Sequence, residues 1–463
     1  MRRLIQRYVG TRSFYSSVLA IVIPIMVQMG ITNLVNLLDN VMVGRLGTES
    51  MSGVSIVNQF IFIFNLLVFG ALAAGGIFSA QFYGAGDVDG VRYAFRFKLL
   101  LILLTVGIAS AIFLLFGDGL INTFLHEGST EGDIELAFTE AKRYLLPTVA
   151  GLLPTAIAQV YASSLRETGA VVPPMVASLI SVGTNFTLNL ILIFGLFGFP
   201  AMGVVGAAVA TVIARVVEVS VLVIWAHTHT RRLPFLKGAY RSVYIPLPLL
   251  RSIAIKGLPL MLNEFLFATA TTLRNQCYST RGLDALAATS ITTTVLNLFS
   301  VLYMSMGSSI AVIVGNKLGA GMIEDAKDTD RKMIALSVTI ALSMGVLLFA
   351  LSPFIPLLYD VGDGVRALAS FMLTVTAIYM PAYAFCNASY FTIRSGGRVL
   401  LTMMLDSGFM TLVVVPVSLS LAHLTGIDVR LLFILSQGLE LVKVVICATL
   451  LKKANWANRF VNN

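Results

Sequence analysis

ITNLVNLLDNVMVGRLG, residues 31–47, closes an apolar run that begins near Tyr15 and places a carboxylate, Asp39, where a membrane-spanning helix meets lipid. A charged side chain at the centre of such a helix costs about 2.5–3.5 kcal/mol on insertion scales, so it rarely persists without a task. Asn33 and Asn36 precede Asp39 at three-residue steps, which gathers two amides and the carboxylate within little more than one helical face. The bland alternative is a carboxylate near the membrane surface, hydrogen-bonded by its neighbours.

The surrounding chain supports the membrane reading. Its 463 residues are 57% hydrophobic and 12% charged, with a mean hydropathy of +0.88; soluble domains carry about 25% charged residues. Twelve apolar stretches, from about 15–41 to about 429–451, are each long enough to cross a hydrocarbon core of about 30 Å. The expected fold is therefore an all-α integral membrane protein with twelve transmembrane helices. No cleavable signal peptide is expected, because the first apolar segment is too long and no small-residue cleavage site follows it. The net charge of +9 does not point to nucleic acid, since the basic residues are spread over short loops. They concentrate at Arg2, Arg3, Arg7 and Arg12, in the centre at Arg231, Arg232, Lys237, Arg241, Arg251 and Lys256, and at Lys452, Lys453 and Arg459. The loop 117–140 is acidic instead. By the positive-inside rule both termini are cytoplasmic and the chain is multi-pass in a cell (plasma or inner) membrane. Cys277, Cys386 and Cys447 lie far apart inside spans and read as packing residues, neither a metal site nor a disulfide framework.

Shifted by 235 residues, the first part of the chain falls on the second half without a gap. Pro24 lands on Pro259, Gly47 on Gly282, Ser55-Ile56 on Ser290-Ile291, and Gly84-Ala85-Gly86 on Gly319-Ala320-Gly321. Farther on, at a shift of 228, Arg166-Glu-Thr-Gly169 lands on Arg394-Ser-Gly-Gly397. The chain thus divides into two pseudo-symmetric six-helix units, residues 1–227 and 249–463, joined by a basic cytoplasmic linker at 228–248. An even number of spans per unit keeps both in one orientation, the parallel-repeat arrangement that places binding sites between halves and permits alternating access. The halves differ at their ionisable positions: Asp39 matches Arg274, and Glu264 matches Met29.

Pro24 followed by NLLDNVMVGRLG, the Gly-Ala-Gly after the second span, SLRETGAVVPP, VGTNFTLN, GVVGAAVATVI and the later echo IRSGGRVLL together resemble the multidrug and toxic compound extrusion (MATE) family. The resemblance spans essentially the whole chain. It implies a V-shaped pair of six-helix bundles that exports bulky, often cationic compounds by antiport against protons or sodium ions. In the DinF-like branch an Asp of the first helix, Asn and Asp of the fifth and Thr of the sixth form an ion site; the matching positions are Asp39, Asn185, Asn189 and Thr211. Asn189 departs from that pattern, which has Asp. In the NorM-like branch a Glu of the seventh helix joins the first-helix Asp, and Glu264 is similar in kind though closer to its preceding Pro. That branch's acidic residue of the tenth helix has no match; in PAYAFCNASYFT, Asn387 is the strongly polar position.

Residue by residue, Asn185 and Asn189 are one turn apart and share a face, either as helix-packing amides or, with Asp39 and Thr211, as an all-oxygen set suited to sodium or to a proton with waters. Glu264 suits a proton carrier or the counter-charge of a cationic drug, with Asn36 and Asn387 as further substrate-site candidates. Arg215 with Glu218, and Glu440 with Lys443, stand three apart and read as neutralising helical pairs. Asp406 has no obvious local partner. Arg166 and Arg394 with their glycines read as loop devices whose Arg can bond helix-end carbonyls, with a gating role as the alternative. The expected partners are small-molecule drugs or toxins and the lipid bilayer, with the chain a monomer, no nucleic acid, no nucleotide and no cofactor beyond the coupling H+ or Na+. A flippase for lipid-linked sugars is the alternative, but a cavity for pyrophosphate needs more basic residues within spans than Arg215, Arg274 and Lys443. Enzyme function is not expected: no nucleotide-binding loop, histidine metal cluster or nucleophile motif is present.

Overall fold

The structure, a computed structural model, describes residues 8–123, 134–359 and 361–461, without the side chains of residues 36, 37, 40, 41, 48, 279 and 283. Among the described residues, twelve helices are long and apolar enough to cross a membrane, and there is no strand. They are α1 (Arg12–Gly44), α2 (Thr48–Ala85), α3 (Val88–Asn122), α4 (Ile134–Glu167), α5 (Val172–Phe194) and α6 (Val204–Thr228). The second half adds α7 (Leu247–Ser279), α8 (Leu283–Gly319), α9 (Ile323–Leu351), α10 (Asp363–Ser395), α11 (Val399–Leu424) and α12 (Val429–Lys453). α11 contains two π-helical turns, Met404–Gly408 and Met410–Val414. Most helices outrun their apolar stretches. The 38 residues of α2 reach about 57 Å at 1.5 Å per residue, well beyond a hydrocarbon core of about 30 Å. Hydropathy marks only the part that needs lipid, whereas the backbone ladder continues until a turn ends it.

The chain forms two compact units. One comprises Val27–Ser79 and Asp87–Ala254; the other comprises Met1–Met26, Ala80–Gly86 and Ile255–Asn463. In the first unit α4 packs against α3 and α6, and α6 against α5. In the second, α10 is the corresponding centre, packed against α8, α9 and α12. Small residues permit these approaches: a Cβ on Gly206 of α6 would lie 2.5 Å from Leu192 O of α5, and one on Gly345 of α9 would lie 2.6 Å from Ala377 O of α10. Val18 and Val22 of α1 join Met306, Ile310 and Val314 of α8 in one apolar cluster of the second unit.

Repeat-related residues meet directly within that unit. Gly84 of α2 faces Asn316 of α8, where an added Cβ would sit 1.9 Å from the Asn316 carbonyl oxygen; Gly319 faces Gln81, with a Cβ 2.0 Å from its carbonyl oxygen. Gln81 and Asn316 are themselves 235 residues apart, as are Gly84 and Gly319. The contact is therefore self-complementary, as a two-fold relation requires. The turns that follow match too. Gly86 and Gly321 adopt φ of 75° and 78°, and their N–H groups close back on Tyr83 O and Leu318 O at 3.1 and 3.0 Å, a left-handed helix ending.

The segment between α6 and α7 is pinned by two guanidiniums of α3, and Arg92 donates to Phe235 O at 3.1 Å. Arg96 of α3 donates to Ala239 O at 2.8 Å, Gly238 O at 2.9 Å and Tyr244 O at 2.9 Å. Tyr161 of α4 adds hydrogen bonds to Tyr240 and, at 3.1 Å, to His227.

Candidate functional site

The first-half site is built from α5 and α6. Prolines open α5, and Gly195 closes it in a left-handed conformation with its N–H on Ile191 O. The short connection to α6 makes the two helices antiparallel neighbours, and the missing side chain at Gly206 lets them approach closely. Asn185 and Asn189 lie on the buried face of α5, at 4% and 1% exposure. Asn185 Nδ2 donates to Thr211 Oγ1 at 3.1 Å, and Asn189 Nδ2 donates to Asn185 Oδ1 at 3.2 Å. The same amide reaches Asp39 Oδ1 of α1 at 2.5 Å. Asp39, Asn185, Asn189 and Thr211 therefore form one hydrogen-bonded line across three helices. Among the described residues, Asn189 Oδ1 is buried without a hydrogen-bond partner, beside the carboxylate. The side chain of Asn36 lies outside the described residues.

A second polar line runs through the same unit. Arg215 NH1 pairs with Glu218 Oε2 at 2.7 Å, as their spacing predicts. Glu218 Oε1 accepts from Ser178 Oγ at 2.9 Å, Ser178 Oγ accepts from Gln28 Nε2 at 3.1 Å, and Gln28 Oε1 accepts from Arg166 NH1 at 3.0 Å. Arg166 thus binds a side chain of α1 and not the helix-end carbonyls its loop-device reading predicts. Nearby, Lys98 of α3 is fully buried and pairs with Glu167, with Ser164 Oγ at 3.1 Å. Nothing in the sequence marks that pair, whose members stand 69 residues apart.

In the second half Glu264 does not stand alone. Its Oε1 accepts from Tyr390 OH at 3.4 Å, and Tyr390 OH accepts from Arg394 NH1 at 3.4 Å and from Asn263 Nδ2 at 3.4 Å. Asn263 is fully buried and also donates to Asp406 Oδ2 at 3.2 Å. Asp406 Oδ1 receives Lys443 Nζ at 3.1 Å, while Glu440, the expected partner of Lys443, stands at 4.0 Å. The partner Asp406 lacks locally is thus supplied by α12. Asn387 takes a different position: its Oδ1 has no hydrogen-bond partner and faces Gly307 of α8, where a Cβ would come within 2.3 Å of it. The residues missed by sequence reasoning are Asn263, Tyr390 and the Asp406–Lys443 pairing. No local spacing links α7, α10, α11 and α12.

Twelve long helices with charged groups held between them by side-chain hydrogen bonds define a multi-pass membrane transporter. The MatE family model matches residues 24–191 and 259–419, two segments that begin 235 residues apart and end 228 apart. They cover more than half of the chain, which belongs to this family of transporters. The chain is 28% identical over 327 residues to the probable multidrug resistance protein NorM of Thermotoga maritima, covering 71% of this chain and 68% of that protein. It is 23% identical over 424 residues to the probable multidrug resistance protein YoeA of Bacillus subtilis, covering 90% and 89%. In fold it is similar to a mutant of the Vibrio cholerae MATE transporter VcmN, with a TM-score of 0.85 at 17% identity over 96% of this chain and 98% of that one.

Proposed function

We propose that this protein is a secondary active exporter of bulky, often cationic compounds, an antiporter driven by protons or sodium ions through alternating access, seated in a cell membrane with both termini cytoplasmic. The similarity to proteins named for multidrug resistance supports the substrate class. The observation that carries the coupling is the Asp39 carboxylate, held by the Asn189 amide next to a buried acceptor that has no donor among the described residues. Asp39, Asn185, Asn189 and Thr211 offer oxygens only, the donor set of hard cations.

The charge on the site sets its stoichiometry. With Asn189 in place of a second carboxylate, Asp39 balances one proton or one monovalent cation. Both together would leave a net positive charge in a low-dielectric site, which is expensive to bury. Asp39 therefore alternates between a protonated or sodium-bound state and an empty, charged state. Glu264 serves the second half, as a second coupling carboxyl or as the counter-charge for cationic substrates. The test is drug efflux from liposomes under pH and sodium gradients imposed separately, with Asp39→Asn beside the parent. Loss of gradient-driven efflux in the variant is expected. Efflux at the parent rate would remove Asp39 from the coupling.

A further inference from the structure

We propose that Lys443 is a built-in counter-cation that closes Asp406 to exchangeable ions, leaving Glu264 as the exchangeable carboxyl of this cluster. The inference rests on the exporter reading and deepens its second-half site. Its positioning residue is Asn263.

Both oxygens of Asp406 are engaged, Oδ1 by the Lys443 ammonium at 3.1 Å and Oδ2 by the Asn263 amide at 3.2 Å. Asn263 is itself clamped. It is fully buried, and its Oδ1 accepts the Ser407 backbone N–H at 3.2 Å. Ser407 belongs to the π-helical turn Met404–Gly408, a local widening that recurs at functional sites. Asn263 therefore fixes the Asp406 carboxylate from both the side-chain and the backbone direction. Lys443, a compact ammonium on a flexible stem, occupies the position an exchangeable cation would take.

The charges count the same way. Glu264, Asp406 and Glu440 supply three carboxyls, against Lys443 and Arg394. Lys443 lies within 3.1 Å of Asp406 and 4.0 Å of Glu440, and Arg394 is linked to Glu264 through the Tyr390 hydroxyl by two contacts of 3.4 Å. These five groups together carry a single surplus negative charge. The side chains of Asp406, Lys443 and Glu440 keep 20%, 12% and 17% exposure, so the position is not sealed inside packed side chains. A purely structural ion pair has the same contacts but makes no claim about ions.

The experiment separates the two. Purified full-length protein in detergent at alkaline pH is titrated with sodium chloride, against choline chloride as control, while thermal unfolding is followed. Asp39→Asn combined with Glu264→Gln serves as the background, so that no sodium response comes from the other two exchangeable carboxyls. Adding Lys443→Met, which keeps the length and removes the charge, is expected to create a saturable rise of melting temperature with sodium, since a ligand that binds only the folded state stabilises it. Adding Asp406→Asn to that variant is expected to abolish the rise, and Lys443→Arg in the same background is expected never to show it. The proposal is overturned if the Lys443→Met protein, folded as judged by a single cooperative transition, shows no sodium-specific rise, or if the rise survives Asp406→Asn. If Lys443→Met does not fold, Lys443→Gln takes its place under the same two criteria. This equilibrium readout needs no gradient, so it stands or falls separately from Asp39-dependent efflux.

Discussion

The first-half cluster surrounds one carboxylate with neutral groups, whereas the second-half cluster surrounds one carboxylate with committed charges. Around Asp39 the immediate hydrogen-bond line consists of Asn189, Asn185 and Thr211. From Glu264 it runs to the Tyr390 hydroxyl, and from there to Arg394 on one side and through Asn263 to Asp406 and Lys443 on the other. The scaffolds are repeats, down to the paired contact of Gly84 with Asn316 and Gly319 with Gln81. Packing tolerates few changes at such contacts, because a helix crossing is set by backbone distances. Polar side chains lining the interior are freer to change, provided each buried group keeps a partner and the charge stays near neutral. The repeats have kept the crossings and diverged in the charges.

The largest expected effect breaks the first half alone. Asp39→Asn removes the one carboxylate of its cluster, and efflux from liposomes under a proton or sodium gradient should fall to the leak of protein-free vesicles. Yield and melting temperature should be retained, since removing an intramembrane charge spares the cost of inserting it. An equal loss of folded protein would mean that Asp39 is structural, and the contrast between the halves would then carry no functional meaning.

Next come Gly84→Ala and Gly319→Ala, which test the shared scaffold. Each added Cβ would lie within 2.0 Å of a backbone oxygen, and backbone cannot swing aside as a side-chain tip can. The helices must part, at a cost of about 3 kcal/mol, the upper end for overpacking. The two variants should lose melting temperature to a similar extent. A large loss in one and none in the other would show that the crossing is not the symmetric contact its geometry describes.

These elements differ in how far the sequence could reveal them. The twelve spans were legible because lipid demands long apolar runs, and the repeat was legible because Gly and Pro hold its register. Asp39 was legible as a carboxylate inside an apolar span, Asn185 and Asn189 as a one-turn pair, and the family resemblance supplied Thr211. Asn263, next to Glu264, was not, because its partners Asp406 and Ser407 lie 143 and 144 residues away. Lys443 was read with Glu440 because helical spacing favours that pair. The π-turn that carries Asp406 toward it has no sequence signature. Lys98 and Glu167 escaped for the same reason: tertiary packing alone brings them together.

A smaller effect is expected from Glu264→Gln, which sharpens the second half's role. Removing a counter-charge while keeping the shape should weaken export of cationic compounds by about 1 kcal/mol, roughly five-fold, and leave neutral compounds near the parent rate. The measurement is the initial efflux rate of a cationic and a neutral dye from the same liposomes. Equal losses for both would assign Glu264 to ion coupling, and no loss for either would leave it to packing beside Tyr390.

The smallest effect lies at the turns after α2 and α8, where the comparison reduces to backbone geometry. Gly86 and Gly321 hold φ of 75° and 78°, where an L side chain brings Cβ against the following carbonyl at a cost of about 1–2 kcal/mol. Nothing lies within 4 Å of a Cβ at Gly86, and at Gly321 only Arg459 NH1 does, at 3.6 Å. Packing therefore adds little, and the cost of Gly86→Ala and of Gly321→Ala should be the local strain alone, about 1 kcal/mol each. Asn tolerates the left-handed region through its short polar side chain, so Gly86→Asn and Gly321→Asn should each lose less melting temperature than the matching Ala variant. That order, found at both turns, would mean that the repeats share their backbone here as they do at the crossing. An Asn variant less stable than Ala at one turn only would place a steric clash there, and the two endings would no longer be equivalent.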